Sequence, residues 1–164
     1  MYKQLLHLLR KEFMLEWKQR YALSGLLLYV VTTIFVCYLS FKKVVDVPTW
    51  NALFWVILLF ASVNAVAKSF MQESRHRNLY YYSIAAPQLV IGAKLVYNTL
   101  LLLSLALIHL FIYSVLIGNP VQDLGLFLVA LLLGVFGLAA VMTLISAIAS
   151  KAGANSTLMA ILGF

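Results

Sequence analysis

The hydrophobic positions of this chain fall into long uninterrupted blocks. Four stretches carry no charged residue and are long enough to cross a bilayer, because about 20 residues at about 1.5 Å each match a hydrocarbon core of about 30 Å. They run over 22–41, 50–67, 95–117 and 124–150. A fifth apolar stretch, 152–164, ends before it reaches spanning length. Backbone groups left open in lipid cost several kcal/mol each, so the expectation is a fifth span that continues in a longer protein. Residues 1–21 are patterned differently. At 100° per residue, Tyr2, Leu5, Leu6, Leu9, Phe13 and Trp17 share one arc, with Lys3, His7, Arg10, Lys11 and Lys18 largely opposite. This predicts an amphipathic elbow helix at the membrane surface, with Glu16 and Arg20 placed to pair at i,i+4. It is too long and too patterned for the basic end of a cleaved signal peptide, and no small-x-small site follows the first span.

Composition agrees with a polytopic membrane protein and excludes a soluble domain. Hydrophobic residues make up 64% of the 164 and charged ones 10%, against about half and about a quarter in soluble chains. Cys37 is the single cysteine, so no intramolecular disulfide is possible. The net charge of +7 suggests a membrane surface rather than nucleic acid, because of where the charges lie. With alternating topology the N-terminal side holds Lys3, Arg10, Lys11, Lys18, Arg20, Lys68, Arg75, Arg77, Lys94 and Lys151, and the far side only Lys42 and Lys43. The positive-inside rule then puts the N-terminus in the cytoplasm. The far-side connections are short, one ending at Pro48 and one a Gly-Asn-Pro turn at 118–120. Trp50, Trp55, Tyr38 and Tyr113 fall near the far ends of the spans, the position of an aromatic belt.

One connection is long. It covers 68–94, on the cytoplasmic side, and its first part continues the second span as a helix with Asn64, Lys68, Gln72 and Arg75 on one face. Ala86 before Pro87 disfavours helix and turns the chain back. Tyr80, Tyr81 and Tyr82, close to Arg75 and Arg77, suit either a headgroup-level anchor or a docking segment for a cytoplasmic partner.

Several chemistries find no residues to carry them. There is no P-loop, so ATP energy must come from another subunit. Glu12, Glu16, Asp46, Glu73 and Asp123 all lie outside the spans, which argues against an ion-coupled secondary transporter. The histidines are isolated, with no zinc motif. His109 is the one ionisable residue well inside a span, on a face with Lys94 and Asn98, and it reads either as a haem ligand or as a packing histidine. Asn64 and Asn98 suit interhelical hydrogen bonds, and Ala130, Gly134 and Gly137 suit a close helix contact.

An N-terminal elbow, one long basic cytoplasmic loop and no nucleotide motif together resemble the membrane half of an ABC-2 type exporter. The chain is similar to the CcmB family, haem exporter protein B of cytochrome c maturation. The likeness rests on LLRKEFMLEWKQR at 8–20, NLYYYSIAAPQLVIGAKLVYN at 78–98 and LISAIASKAGANSTLMAILGF at 144–164. The permease pattern E-x-x-x-x-L, S-P and K is matched loosely by Glu73, Leu79, Ser83, Pro87 and Lys94. The resemblance implies an all-α polytopic bundle of about six spans in the bacterial inner membrane, as one permease domain that is not itself an enzyme. It implies a CcmA-like ATPase docking under a coupling loop that includes Lys68, Glu73, Arg75, Arg77, Leu79, Tyr81, Ser83 and Pro87. CcmC-like and CcmE-like haem-handling proteins are the further implied partners, with the lipid bilayer around them and no nucleic acid. No tightly bound cofactor is expected: ATP acts through the partner, and haem is the cargo or is released with its chaperone. The rival readings are an exporter permease for a drug, peptide or polysaccharide, and a non-transporting assembly scaffold.

Overall fold

The computed structural model describes residues 9, 10, 14, 20–41, 45–71 and 87–151, and the elbow as a unit, with the Glu16–Arg20 pair, lies outside them. Four long helices account for nearly all the described residues: α1 (Arg20–Phe41), α2 (Val47–Met71), α3 (Pro87–Ile117) and α4 (Leu124–Lys151). Each is long and apolar enough to cross a membrane, and no strand occurs among the described residues. The chain is a polytopic, all-helical membrane protein.

Helix boundaries follow local chemistry. Asp46 caps α2: its carbonyl accepts the Trp50 N–H at 2.9 Å and its carboxylate the Thr49 N–H at 3.4 Å. Asp123 caps α4 in the same way, its Oδ1 accepting from the Leu126 N–H at 3.1 Å. α3 stops at Gly118, whose φ of 101° is the left-handed geometry of a helix C-cap and whose N–H reaches the Ser114 carbonyl at 3.1 Å. Asn119 then turns the chain by accepting the Val121 N–H on its side chain. Two boundaries differ from the charge-free runs. α2 starts at Val47 rather than Trp50, because Asp46 and Pro48 form its cap and first turn. α3 starts at Pro87, eight residues before Leu95, because proline suits a first helical turn and Lys94 is buried inside the helix. At about 1.5 Å per residue α3 is about 46 Å long, more than a hydrocarbon core, so it tilts or projects beyond it.

The Asp46 cap carries a pH dependence. Hydrogen bonds from Thr49, the side-chain one first, hold its carboxyl below the ordinary 3.8. The contribution is therefore full above the ordinary value and fades as pH falls through the lower folded one. Asp46→Asn keeps a capping side chain, so its unfolding midpoint should decline less steeply than the wild type's as pH falls below 4. Parallel declines in the two proteins would show that Asp46 is not responsible.

In the bundle, α2 and α3 each pack against all the other helices, while α1 and α4 each pack against that central pair and scarcely against each other. The core runs from Leu26, Val30 and Ile34 of α1 through Phe54, Leu58 and Ala61 of α2 and Leu102 and Ala106 of α3 to Leu131, Val135 and Ala139 of α4. The outward surface is equally apolar: Leu28, Phe111, Val115, Leu126 and Leu133 are each at least 66% exposed. That is untenable in water and suits lipid.

Candidate functional site

The connection singled out by the sequence joins the near ends of α2 and α3, near meaning the side of the N-terminus. Lys68 lies on the last turns of α2 and Pro87 opens α3. Glu73, Arg75, Arg77, Leu79, Tyr81 and Ser83 fall between them, outside the described residues.

The polar residues of α3 are brought inside the bundle. Lys94 is 3% exposed and Asn98 and His109 are fully buried, as their shared face requires. Asn98 donates from Nδ2 to Thr143 Oγ1 of α4 at 2.9 Å, the interhelical bond expected of it. Ser146 is buried one turn further along α4, and Ser62 of α2 is buried with its hydroxyl turned back on the Leu59 carbonyl at 2.7 Å. Among the described residues, Asn98 Oδ1 and Ser146 Oγ have no hydrogen-bond partner. The near half of the α3–α4 seam is thus a polar layer inside an apolar bundle, where unmet polar groups are costly and a rearrangement that pairs them is favoured. Thr143 and Ser146 escape sequence reading because hydroxyls within an apolar run carry almost no pattern.

The distal half is aromatic. His109 stacks face to face on Phe54, with centroids 4.5 Å apart and planes 9° apart, and meets the Tyr113 ring at 5.4 Å. Both its nitrogens lack partners among the described residues, and a ligand reaches them only if the surrounding aromatic packing opens. No cluster of three metal-binding side chains occurs among the described residues. Trp50 and Tyr113 are not belt residues: they are 2% and 0% exposed. Trp50 Nε1 donates to the Gly118 carbonyl at 2.9 Å, and the Tyr113 hydroxyl donates to the Trp50 carbonyl at 3.2 Å. These bonds fasten the start of α2 to the end of α3, and burial follows because each amphipathic ring finds its polar partner inside the protein.

Two further expectations are corrected. Asn64 is exposed and donates to the Phe60 carbonyl of its own helix at 3.0 Å, because its side chain lies on the outward face of α2, away from the neighbouring helices. Of the three small residues expected to permit a close helix contact, Gly134 makes one, beneath the Trp55 ring. Ala130 and Gly137 are exposed.

The family model described as CcmB protein matches residues 3–164. No curated protein and no solved structure matches the chain.

Proposed function

The chain belongs to the CcmB family of haem-exporter permease subunits in cytochrome c maturation, and on that premise we propose that it couples ATP hydrolysis by a separate CcmA-like subunit to haem export or to release of a haem-loaded chaperone. The family match over 3–164 is the observation that carries this reading. The permease has no nucleotide motif of its own, which suits a division of labour with an ATPase. The ATPase docks on the segment from Lys68 to Pro87, with Glu73, Arg75, Arg77, Leu79, Tyr81 and Ser83 between them, in an inner membrane with the N-terminus cytoplasmic. CcmC-like and CcmE-like proteins complete the assembly.

The arrangement of the bundle supports coupling at the near end. The segment pulls on α2 and α3 where the α3–α4 seam is polar and incompletely paired, while Trp50 and Tyr113 fasten the distal end. Force applied there pivots the helices about a fixed far end.

Two experiments test this. Co-purification of the full-length protein from its native membrane, with mass spectrometry and a haem absorbance scan, should recover a nucleotide-binding subunit together with cytochrome c maturation proteins. Recovery of an ATPase without those proteins would point to another cargo. Substituting Arg75, Arg77 and Tyr81 together should reduce ATPase association and mature cytochrome c in parallel, and unchanged levels of both would rule out coupling through this segment. Normal maturation with a catalytically dead ATPase would instead favour the scaffold reading.

A further inference from the structure

We propose that the near end of the α3–α4 seam is a two-position clasp, open in this structure and closed when the Ser146 hydroxyl donates to Asn98 Oδ1. The Asn98 amide has two ends and uses one of them: Nδ2 donates to Thr143 Oγ1 at 2.9 Å, while Oδ1 accepts nothing among the described residues. Ser146, one turn beyond Thr143 on the same face of α4, is 1% exposed, and its hydroxyl is likewise unpaired among the described residues. A buried acceptor and a buried donor thus share one seam. Each is costly to leave unmet, and each is what the other lacks.

The fold confines the movement to one end. α3 and α4 run antiparallel, joined at the far side by the short connection at 118–123, so Ser146 sits nearer the open end of the pair than Thr143 does. Its bond to Asn98 narrows that end and keeps the Thr143 bond. The far end is held: Trp50, Phe54, His109, Tyr113 and Phe127 interlock there with ring centroids 4.5–5.9 Å apart, and Trp50 is bonded to Gly118. Level with the clasp, α2 offers small side chains instead. α2 and α4 run in the same direction and Trp55 meets Gly134, which sets the buried Ala61 and Ala65 of α2 level with residues 140–144 of α4. Small side chains let helices approach one another, so the near end has two discrete arrangements and the far end one. The clasp is a property of these helices alone and does not rest on the ATPase reading.

The test is pulsed electron paramagnetic resonance on the full-length protein in nanodiscs, without any partner and with Cys37→Ala as background. One pair of spin labels, on Val96→Cys and Leu144→Cys, spans the near end; the other, on Val115→Cys and Leu126→Cys, spans the far end, and all four positions are exposed. The near pair should show a shorter and a longer distance. Ser146→Ala should lower the ratio of shorter to longer about threefold to thirtyfold, the equivalent of one interhelical hydrogen bond of about 0.6–2 kcal/mol. Ser146→Thr keeps the hydroxyl and should restore the ratio. The far pair should give one distance in every variant. A near-pair distribution that Ser146→Ala leaves unaltered would overturn the proposal, indicating a fixed seam in which a water bridges the two groups. A change that Ser146→Thr does not restore would overturn it as well, since packing and not the hydroxyl would be the cause. So would a parallel change in the far pair, which would mean that the two helices part along their whole length.

Discussion

Replacing Trp50 with alanine is expected to destabilise the bundle by about 3–5 kcal/mol, the cost of truncating a fully packed tryptophan. The side chain is 2% exposed and touches the rings of Tyr113, Phe54 and Phe127 at 4.9, 5.7 and 5.8 Å. In lipid the helices gain little from a hydrophobic drive toward each other, so what is lost is van der Waals packing plus the bond that ties α2 to Gly118. Graded variants separate the two. Trp50→Phe keeps most of the ring and removes the N–H, and should cost about 0.5–1.5 kcal/mol beyond its smaller volume. Tyr113→Phe removes only a long bond of 3.2 Å and should cost less than either. Reversible unfolding in mixed detergent micelles reads all three on one scale. An alanine variant within about 1 kcal/mol of the wild type would show that the distal fastening is not structural.

The four described spans and their order were legible because charge-free runs of spanning length have few other physical uses. Which face each helix turns inward was legible only where polar residues marked it. Lys94, Asn98 and His109 recur on one side of α3, and that side is the buried one. Asn64 shows the limit of that rule: it stands in register with Lys68 as Asn98 does with Lys94, yet it is exposed and bonds back to its own helix. The burial of Trp50 and Tyr113 is not encoded in their positions, because distance from a span end fixes depth, whereas burial depends on rotation about the helix axis, and a uniformly apolar helix does not encode its rotation. The start of α3 is hidden in the sequence for a related reason: a lysine ends a charge-free run, yet Lys94 is buried within the bundle and the helix begins at Pro87. Thr143, the partner of Asn98, was invisible because that pairing spans two helices. The coupling residues from Glu73 to Ser83 rest on the family resemblance and lie outside the described residues.

Gly134 should prove the least replaceable small residue of α4. A Cβ built there lies 2.6 Å from two carbons of the Trp55 ring, closer than real contacts allow, so the indole must move or the helices must part. Trp55 also packs edge-on against Phe54 at 5.7 Å, which resists the movement. Gly134→Val should therefore cost about 1–3 kcal/mol from overpacking. Replacing glycine within a helix also changes backbone propensity, by as much as about 1 kcal/mol for alanine, which has to be separated from the clash. Gly137 supplies the control, since a Cβ there meets nothing within 4 Å. Gly137→Ala and Gly137→Val report propensity alone, and the excess at Gly134 is the steric part. A double-mutant cycle then assigns it: Trp55→Ala combined with Gly134→Val should recover stability, with a coupling of about 0.5–3 kcal/mol. Additive losses would mean that Trp55 yields freely and the α2–α4 contact is looser than its geometry indicates. Coupling confined to Gly134 would mean that one residue sets how closely these helices approach, and that the open space at Ala130 and Gly137 is not used in this contact.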